Sequence, residues 1–279
     1  MSDASASTAS VALSAAETPL IPPDVQPPAG AVVDGLVFLG QSHFGSSLDS
    51  TGALTGLNAV GAGFAIAVPA HPHHRSFVEA NDEVLAAAGS ADGRLVALAR
   101  VDPWDGIEAL AELQRAVAAG ARGLFLHPSE EHFHVNDQRL VRPLLEEAAS
   151  LAVPVMLAAG FHLYAEPLQL GAAAAWTPDN PVVLTNGGQF NISGMMNFDA
   201  ELALRNPNVY VQTTAMYRED FLERVVAVFG AEHLIYASGA PAFQMSYERV
   251  RVDRAHFSVE QRELILGGNS ARIFGIERS

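Results

Sequence analysis

The sequence predicts a closed (β/α)8 barrel. Three observations carry that expectation. From Ala31 onward, short β-branched, apolar runs alternate about eight times with stretches of helical period. The runs are apolar throughout, as parallel strands covered on both faces are. And 279 residues with 49% hydrophobic content suffice for one large core without a second. No Gly-rich dinucleotide or phosphate-loop spelling follows any run, which disfavours a nucleotide-binding open sheet.

The strands are expected at residues 32–39, 64–68, 95–101, 123–127, 153–158, 182–186, 209–213 and 234–238. Helical patterns lie between them at 75–88, 107–119, 137–151, 198–205 and 219–228. The clearest is 137–151, where Leu140, Val141, Leu144, Leu145, Ala148 and Leu151 recur at three- and four-residue steps behind Asp137 as N-cap. The last helical segment opens with a capping-box spelling from Ser258 to Gln261. Gly187-Gly188 and Gly267-Gly268 read as tight turns. Residues 1–30 are Ser/Ala-rich and then Pro-rich, with too little apolar surface to offset the entropy of ordering, so they are expected to form a flexible arm ahead of a barrel over 31–279.

Charge and composition exclude several functions. A net charge of −15 without any basic run argues against nucleic acid and anionic membrane, because both need Lys or Arg to neutralise phosphates. The chain has no lysine, hence no Schiff-base chemistry and no carbamylated-lysine metal bridge. It has no cysteine, so thiolate nucleophiles, disulfides and zinc–sulfur sites are absent. The N-terminus lacks a basic region followed by an apolar one, and no run approaches the roughly 18 apolar residues of a membrane span. A soluble, cytoplasmic protein is expected.

Several stretches resemble the amidohydrolase-related family, a branch of the amidohydrolase superfamily that includes small-acid decarboxylases and lactonases. They are Ala80-Asn81-Asp82, Gly93-Arg94-Leu95, Val101-Asp102-Pro103, Gly120-Ala121-Arg122-Gly123, Val153-Pro154-Val155, the run from Phe229 to Tyr236, and the run from Gly268 to Gly275. Their order along residues 31 to 276 is more specific than any one of them. The resemblance implies the barrel fold and a metal site at the strand ends, and this sequence departs from that site. Where the family places Asp-x-His-x-His on its first strand, Asp34-Gly35-Leu36-Val37-Phe38 stands here. The fifth-strand His falls on Ala158, the sixth-strand His on Asn186, and the eighth-strand Asp on Gly239 after Ser238. Buried ligands are costly once unpaired, so their joint replacement points to a chain without metal or other cofactor. Leu36 and Phe38 read as core residues at the barrel mouth. Asp34 is the survivor, a catalytic candidate whose competing role is to bond backbone amides.

Barrels of this type work at the C-terminal ends of their strands. That rim carries His43, His71, His73 and His74, Asp102 and Trp104, His127, Glu131, His132, His134, His162 and Tyr164, then Asn186, Gln189, Thr213, Thr214, Tyr217, Ser238 and Gln244. An imidazole titrates near working pH, so histidines with carboxylate and phenol neighbours can supply acid–base catalysis without a metal. The catalytic candidates are His127, His162 and Asp34. His71, His132, His134, Tyr164, Asn186, Gln189, Tyr217, Ser238 and Gln244 are the substrate-binding candidates. His71-Pro72-His73-His74 and His132-Phe133-His134 also admit a relocated metal site completed by Glu131 or Asp102.

Two functions follow. One is a metal-independent enzyme acting on a small organic acid, lactone or aromatic intermediate by hydrolysis, decarboxylation or ring opening. The other is a non-catalytic subunit or ligand-binding protein that partners an intact metal-binding relative. The Phe- and Met-rich loops after strands five to eight suit a lid or a subunit contact, in a homo-oligomer or with a related barrel.

Overall fold

The computed structural model describes residues 32–42, 45–71, 76–188, 201, 203–216 and 219–277. The N-terminal stretch 1–30, His43, His73, His74, Gln189, Tyr217 and half of the helix expected at 198–205 lie outside the described residues.

Among the described residues ten strands run in order: β1 (Val32–Gln41), β2 (Ser47–Leu48), β3 (Ala62–Pro69), β4 (Leu95–Ala97), β5 (Ala99–Arg100), β6 (Leu124–Leu126), β7 (Val155–Leu157), β8 (Val182–Leu184), β9 (Val209–Gln212) and β10 (Leu234–Ile235). They form two ladders, β2-β1-β3-β4 and β10-β9-β8-β7-β6-β5, parallel except where β2 turns back on β1. The expected third strand is split at Leu98. Leu98 N–H donates to Ala67 O on one side, and Ala99 N–H donates to Gly123 O on the other, so the strand passes from one ladder to the next. Closure comes from β1 meeting the end of β10: Gly35 N–H donates to Tyr236 O (2.9 Å), Gly239 N–H to Leu36 O (2.9 Å) and Phe38 N–H to Ala240 O (2.8 Å). Gly35 is required at that crossing, because a Cβ there would stand 2.7 Å from Tyr236 O.

The parallel strands are largely buried on both faces. Leu36, Ile66, Val68, Leu98, Phe125, Met156, Val183 and Ile235 fill the interior. The alternate side chains, such as Val37, Leu124, Leu126, Leu157 and Leu184, pack under the helices. The observed barrel is the fold the apolar runs predict.

The helices are α1 (Ser50–Ala59), α2 (Phe77–Gly89), α3 (Ile107–Ala118), α4 (Arg142–Ser150), α5 (Pro167–Ala174), α6 (Glu219–Phe229), α7 (Met245–Arg254), α8 (Val259–Glu263) and α9 (Asn269–Phe274). Three differences from the sequence reading have physical causes. α1 and α5 are Ala/Gly-rich and lack a polar face to mark their period. α7 hides its inner face behind charge, since Glu248, Arg249 and Arg251 are buried there in ion pairs. α4 starts later than expected: Asp137 Oδ1 accepts from Arg139 N–H (2.8 Å) and closes a turn instead of capping the helix. Gly267-Gly268 is no turn either; it lies in a π-helical segment, Leu264–Gly268, between α8 and α9. The capping box at Ser258 is present as read. No helix among the described residues is long and apolar enough to cross a membrane.

Candidate active site

A cavity of about 230 Å³ opens at the C-terminal ends of the barrel strands. Leu36 and Phe38 of β1 reach it, as do Ala158 after β7, Thr185 and Asn186 after β8, Thr214 after β9 and Gly239 after β10. Leu36, Phe38, Ala158, Asn186 and Gly239 are the five positions where the family resemblance expects metal ligands or catalytic side chains. They converge on one space and line it chiefly with hydrocarbon. Phe161, Pro241, Ala242 and Phe243 extend the apolar wall, and Ser42 and Ser46 close it near β1.

The polar side of the cavity is His71, His127 and Glu130. The sequence His127-Pro128-Ser129-Glu130-Glu131 leaves β6 in a tight turn, with Glu130 N–H and Glu131 N–H both donating to His127 O. That turn folds the two carboxylates back beside the imidazole. Glu130 Oε1 lies 3.7 Å from His127 Nε2. His127 Nδ1 faces Ser129 Oγ (3.2 Å) and accepts from Glu130 N–H (3.3 Å). An acceptor at Nδ1 leaves the proton of the neutral ring on Nε2, the nitrogen nearer the Glu130 carboxylate. Burial, helped by the Arg100 charge, drives the His127 pKa down to about 3, so the ring is neutral at working pH.

Arg100, at the end of β5, is the cation behind this wall. It is fully buried, with Nη2 2.6 Å from Glu131 Oε1 and also bonded to Glu130 Oε2. Its Nε donates to Glu131 (2.9 Å) and its Nη1 to Pro69 O (3.0 Å). Phe77 and Phe125 flank the guanidinium at 5.5 and 5.3 Å. Asn81 of α2 fixes the strand end that carries it, accepting from Arg100 N–H (2.8 Å) and donating to Arg100 O (2.9 Å). Burial pushes the Glu131 carboxyl up to about 7 against the pull of Arg100. Burial also works to raise Glu130, but its neighbours His127 and Arg100 outweigh it and hold the group below the ordinary carboxylate range. One guanidinium thus serves two carboxylates, and Glu130 is the one that faces the cavity.

The sequence candidates separate into groups. His71, His127 and Asn186 line the cavity. Asn186 adopts a left-handed backbone (φ 52°), which its side chain tolerates, and it donates to Ala159 O (2.9 Å). Asp34 and Ser238 are buried behind the lining: Asp34 Oδ1 accepts from Ser238 N–H (2.7 Å) and Leu36 N–H (3.2 Å). His132, His134 and Tyr164 form a cluster on the outer rim, with His134 stacked on Tyr164 at 5.7 Å. His162 is 74% exposed and pairs with Glu166 at 2.8 Å, and Gln244 is exposed ahead of α7. None of these five is among the residues lining the cavity. Gln189 and Tyr217 are outside the described residues. Glu130 and the linkage through Arg100 were missed. The adjacent acidic pair after His127 is the signal in the sequence, but nothing there tells which carboxylate turns inward.

An amidohydrolase family model matches residues 20–276. Sequence comparison with curated proteins finds no match. Among solved structures, the chain is similar to 2,6-dihydroxybenzoate decarboxylase from Rhizobium, with a TM-score of 0.70 at 15% identity over 89% of this chain and 99% of that one. It is likewise similar to a probable 2-pyrone-4,6-dicarboxylic acid hydrolase from Acinetobacter baumannii, with a TM-score of 0.70 at 17% identity over 88% and 99%. A dihydroxybenzoic acid decarboxylase from a Polaromonas species, solved with manganese and the inhibitor 2-nitroresorcinol, gives a TM-score of 0.70 at 13% identity over 90% and 98%.

A divalent ion needs several oxygen or nitrogen donors turned toward one point. Leu36, Phe38, Ala158 and Gly239 offer none from their side chains. Among the described residues, no three His, Asp or Glu side chains stand where they could hold a metal. The described donor set of this cavity does not fit such an ion.

Proposed function

Because the chain belongs to the amidohydrolase family, we propose that it is an enzyme of small organic-acid and lactone chemistry whose own side chains, without a metal, move the proton. The observation that carries this reading is the Glu130–His127 pair on the wall of a largely apolar cavity. The similar structures include decarboxylases of aromatic acids and a probable pyrone hydrolase, which supports the substrate class.

The pair divides the work. Glu130 is ionised and acts as the general base. His127 is neutral, and its Nε2–H donates a hydrogen bond to the oxygen on which negative charge develops. For a lactone, Glu130 takes a proton from water as that water adds to the ring carbonyl. The ring C–O bond then breaks, the proton passes from Glu130 to the leaving oxygen, and one lactone and one water give one hydroxy acid. An ionised carboxylate suits this hydrolysis better than decarboxylation, which needs an acid to protonate the carbon left behind. His71 and Asn186 orient the substrate from opposite sides of the cavity.

The test is turnover by the metal-stripped full-length chain on a panel of lactones, aromatic esters and hydroxylated benzoates, with excess chelator present. The reading expects ring opening that persists under chelator and is lost in His127→Asn and Glu130→Gln. Activity that appears only when a divalent ion is added back overturns it.

A further inference from the structure

We propose that the cavity selects an uncharged hydroxylated ring over the same ring bearing a carboxylate, with the Glu130 carboxylate as the selecting group. This inference rests on the acid–base reading of the same cavity and narrows its substrate class.

Among the described lining residues, Glu130 is the one Asp, Glu, Lys or Arg side chain. Its side chain is 19% exposed, whereas Arg100 and Glu131 behind it are fully buried. Arg100 spends its donors on Glu131, Glu130 and Pro69 O, so its charge is shared between two carboxylates inside the wall. A ligand therefore meets an acceptor oxygen, Glu130 Oε1, beside the Nε2–H donor of His127. A hydroxyl satisfies both, donating to one and accepting from the other, and so stands where the attacking water and the carbonyl oxygen stand in the hydrolytic step. A ligand carboxylate only accepts, and at this distance it meets like charge across an apolar space that water screens poorly.

The rest of the cavity agrees. Leu36, Phe38, Ala158 and Phe161 present an apolar surface for the face of a ring. On the far side, Thr214 Oγ1 donates its proton to Ala237 O, whereas Thr185 Oγ1 accepts from Ala159 N–H and keeps its own proton for a neutral ligand's oxygen.

The matched probes are 4-hydroxybenzamide and 4-hydroxybenzoate, which share shape and hydroxyl and differ in charge. Their dissociation constants for the full-length chain at pH 8 are measured by ligand-observed NMR titration. The expected result is at least about tenfold tighter binding of the amide, a preference that shrinks to below about threefold in Glu130→Gln. Equal or tighter binding of the benzoate by the wild type overturns the inference. So does failure of both probes to bind, or an unchanged ratio in a folded Glu130→Gln. If that variant does not fold, the wild-type ratio alone decides. Failure here is distinct from failure of the acid–base reading, which turnover under chelator decides.

Discussion

Arg100 Nη2 lies 2.6 Å from Glu131 Oε1, and both side chains are fully buried. Arg100 also pairs with Glu130, so removing the guanidinium strips the counter-ion from two carboxylates in the barrel wall at once. Arg100→Met is therefore expected to lower unfolding free energy by about 3–5 kcal/mol in urea titration. Arg100→Met combined with Glu131→Gln is expected to recover much of that loss. A double variant as unstable as the single one would mean that Arg100 acts mainly through Glu130, Phe77, Phe125 and Pro69.

The two histidines singled out as catalytic sit in opposite environments. His127 is buried on the cavity wall, and burial holds its pKa near 3; His162 is exposed and paired with Glu166. His127→Asn removes the Nε2–H donor and is expected to reduce turnover by about 100-fold or more, without a matching fall in thermal stability. His162→Gln is expected to leave turnover within about twofold, since it touches nothing in the cavity and exposed pairs contribute little. The activity should also stay flat from pH 5 to 8 as far as His127 is concerned. A limb near the ordinary imidazole value that vanishes in His127→Asn would contradict a neutral ring.

What the sequence made legible follows from where the information lies. Strand order could be read because each strand is an apolar run, such as Val182-Val183-Leu184, whose burial on both faces leaves no other reading. The convergence of Leu36, Phe38, Ala158, Asn186 and Gly239 on one cavity could be anticipated, because strand ends of a closed barrel share a rim. Which rim histidine turns inward could not. His127, His132 and His134 lie within eight residues, and the choice among them depends on the turn from His127 to Glu131 and on Arg100, 27 positions earlier. α7 was illegible for the opposite reason: its buried face is charged, so no apolar period marks it.

Asp34 is fully buried, and its carboxyl is raised by that burial to about 6 even though Ser238 and Leu36 donate to it. A carboxyl raised in the folded chain binds its proton more tightly there than in the unfolded chain. Its contribution to stability is therefore greatest at low pH and declines as pH rises from about 4 to about 6. Asp34→Asn keeps the acceptor oxygen and removes the titration. Relative to wild type, the variant is expected to gain on the order of 3 kcal/mol between pH 4 and pH 8 in paired denaturation curves. A difference that does not change with pH would mean that Asp34 titrates as it does in the unfolded chain.

Gly239 stands where the family resemblance expects a metal-binding or basic Asp, and its surroundings have closed around the missing side chain. Its φ is +70°, a conformation that costs any L side chain about 1–3 kcal/mol. A Cβ there would lie 2.6 Å from Thr214 Cγ2 and 3.3 Å from Phe243 Cδ2. Thr214 has little room to withdraw, because it is buried and its Oγ1 donates to Ala237 O at 3.1 Å. Gly239→Asp is accordingly expected to destabilise the chain by at least about 2 kcal/mol. The triple change Leu36→His, Phe38→His and Gly239→Asp is expected to gain no thermal stability from added manganese or zinc. Adding Thr214→Ala relieves the contact but not the backbone strain, so it should recover part of the loss and no more. A metal-dependent rise in melting temperature for the triple variant would show that the barrel mouth still holds the geometry of a metal site, and that only its side chains had changed.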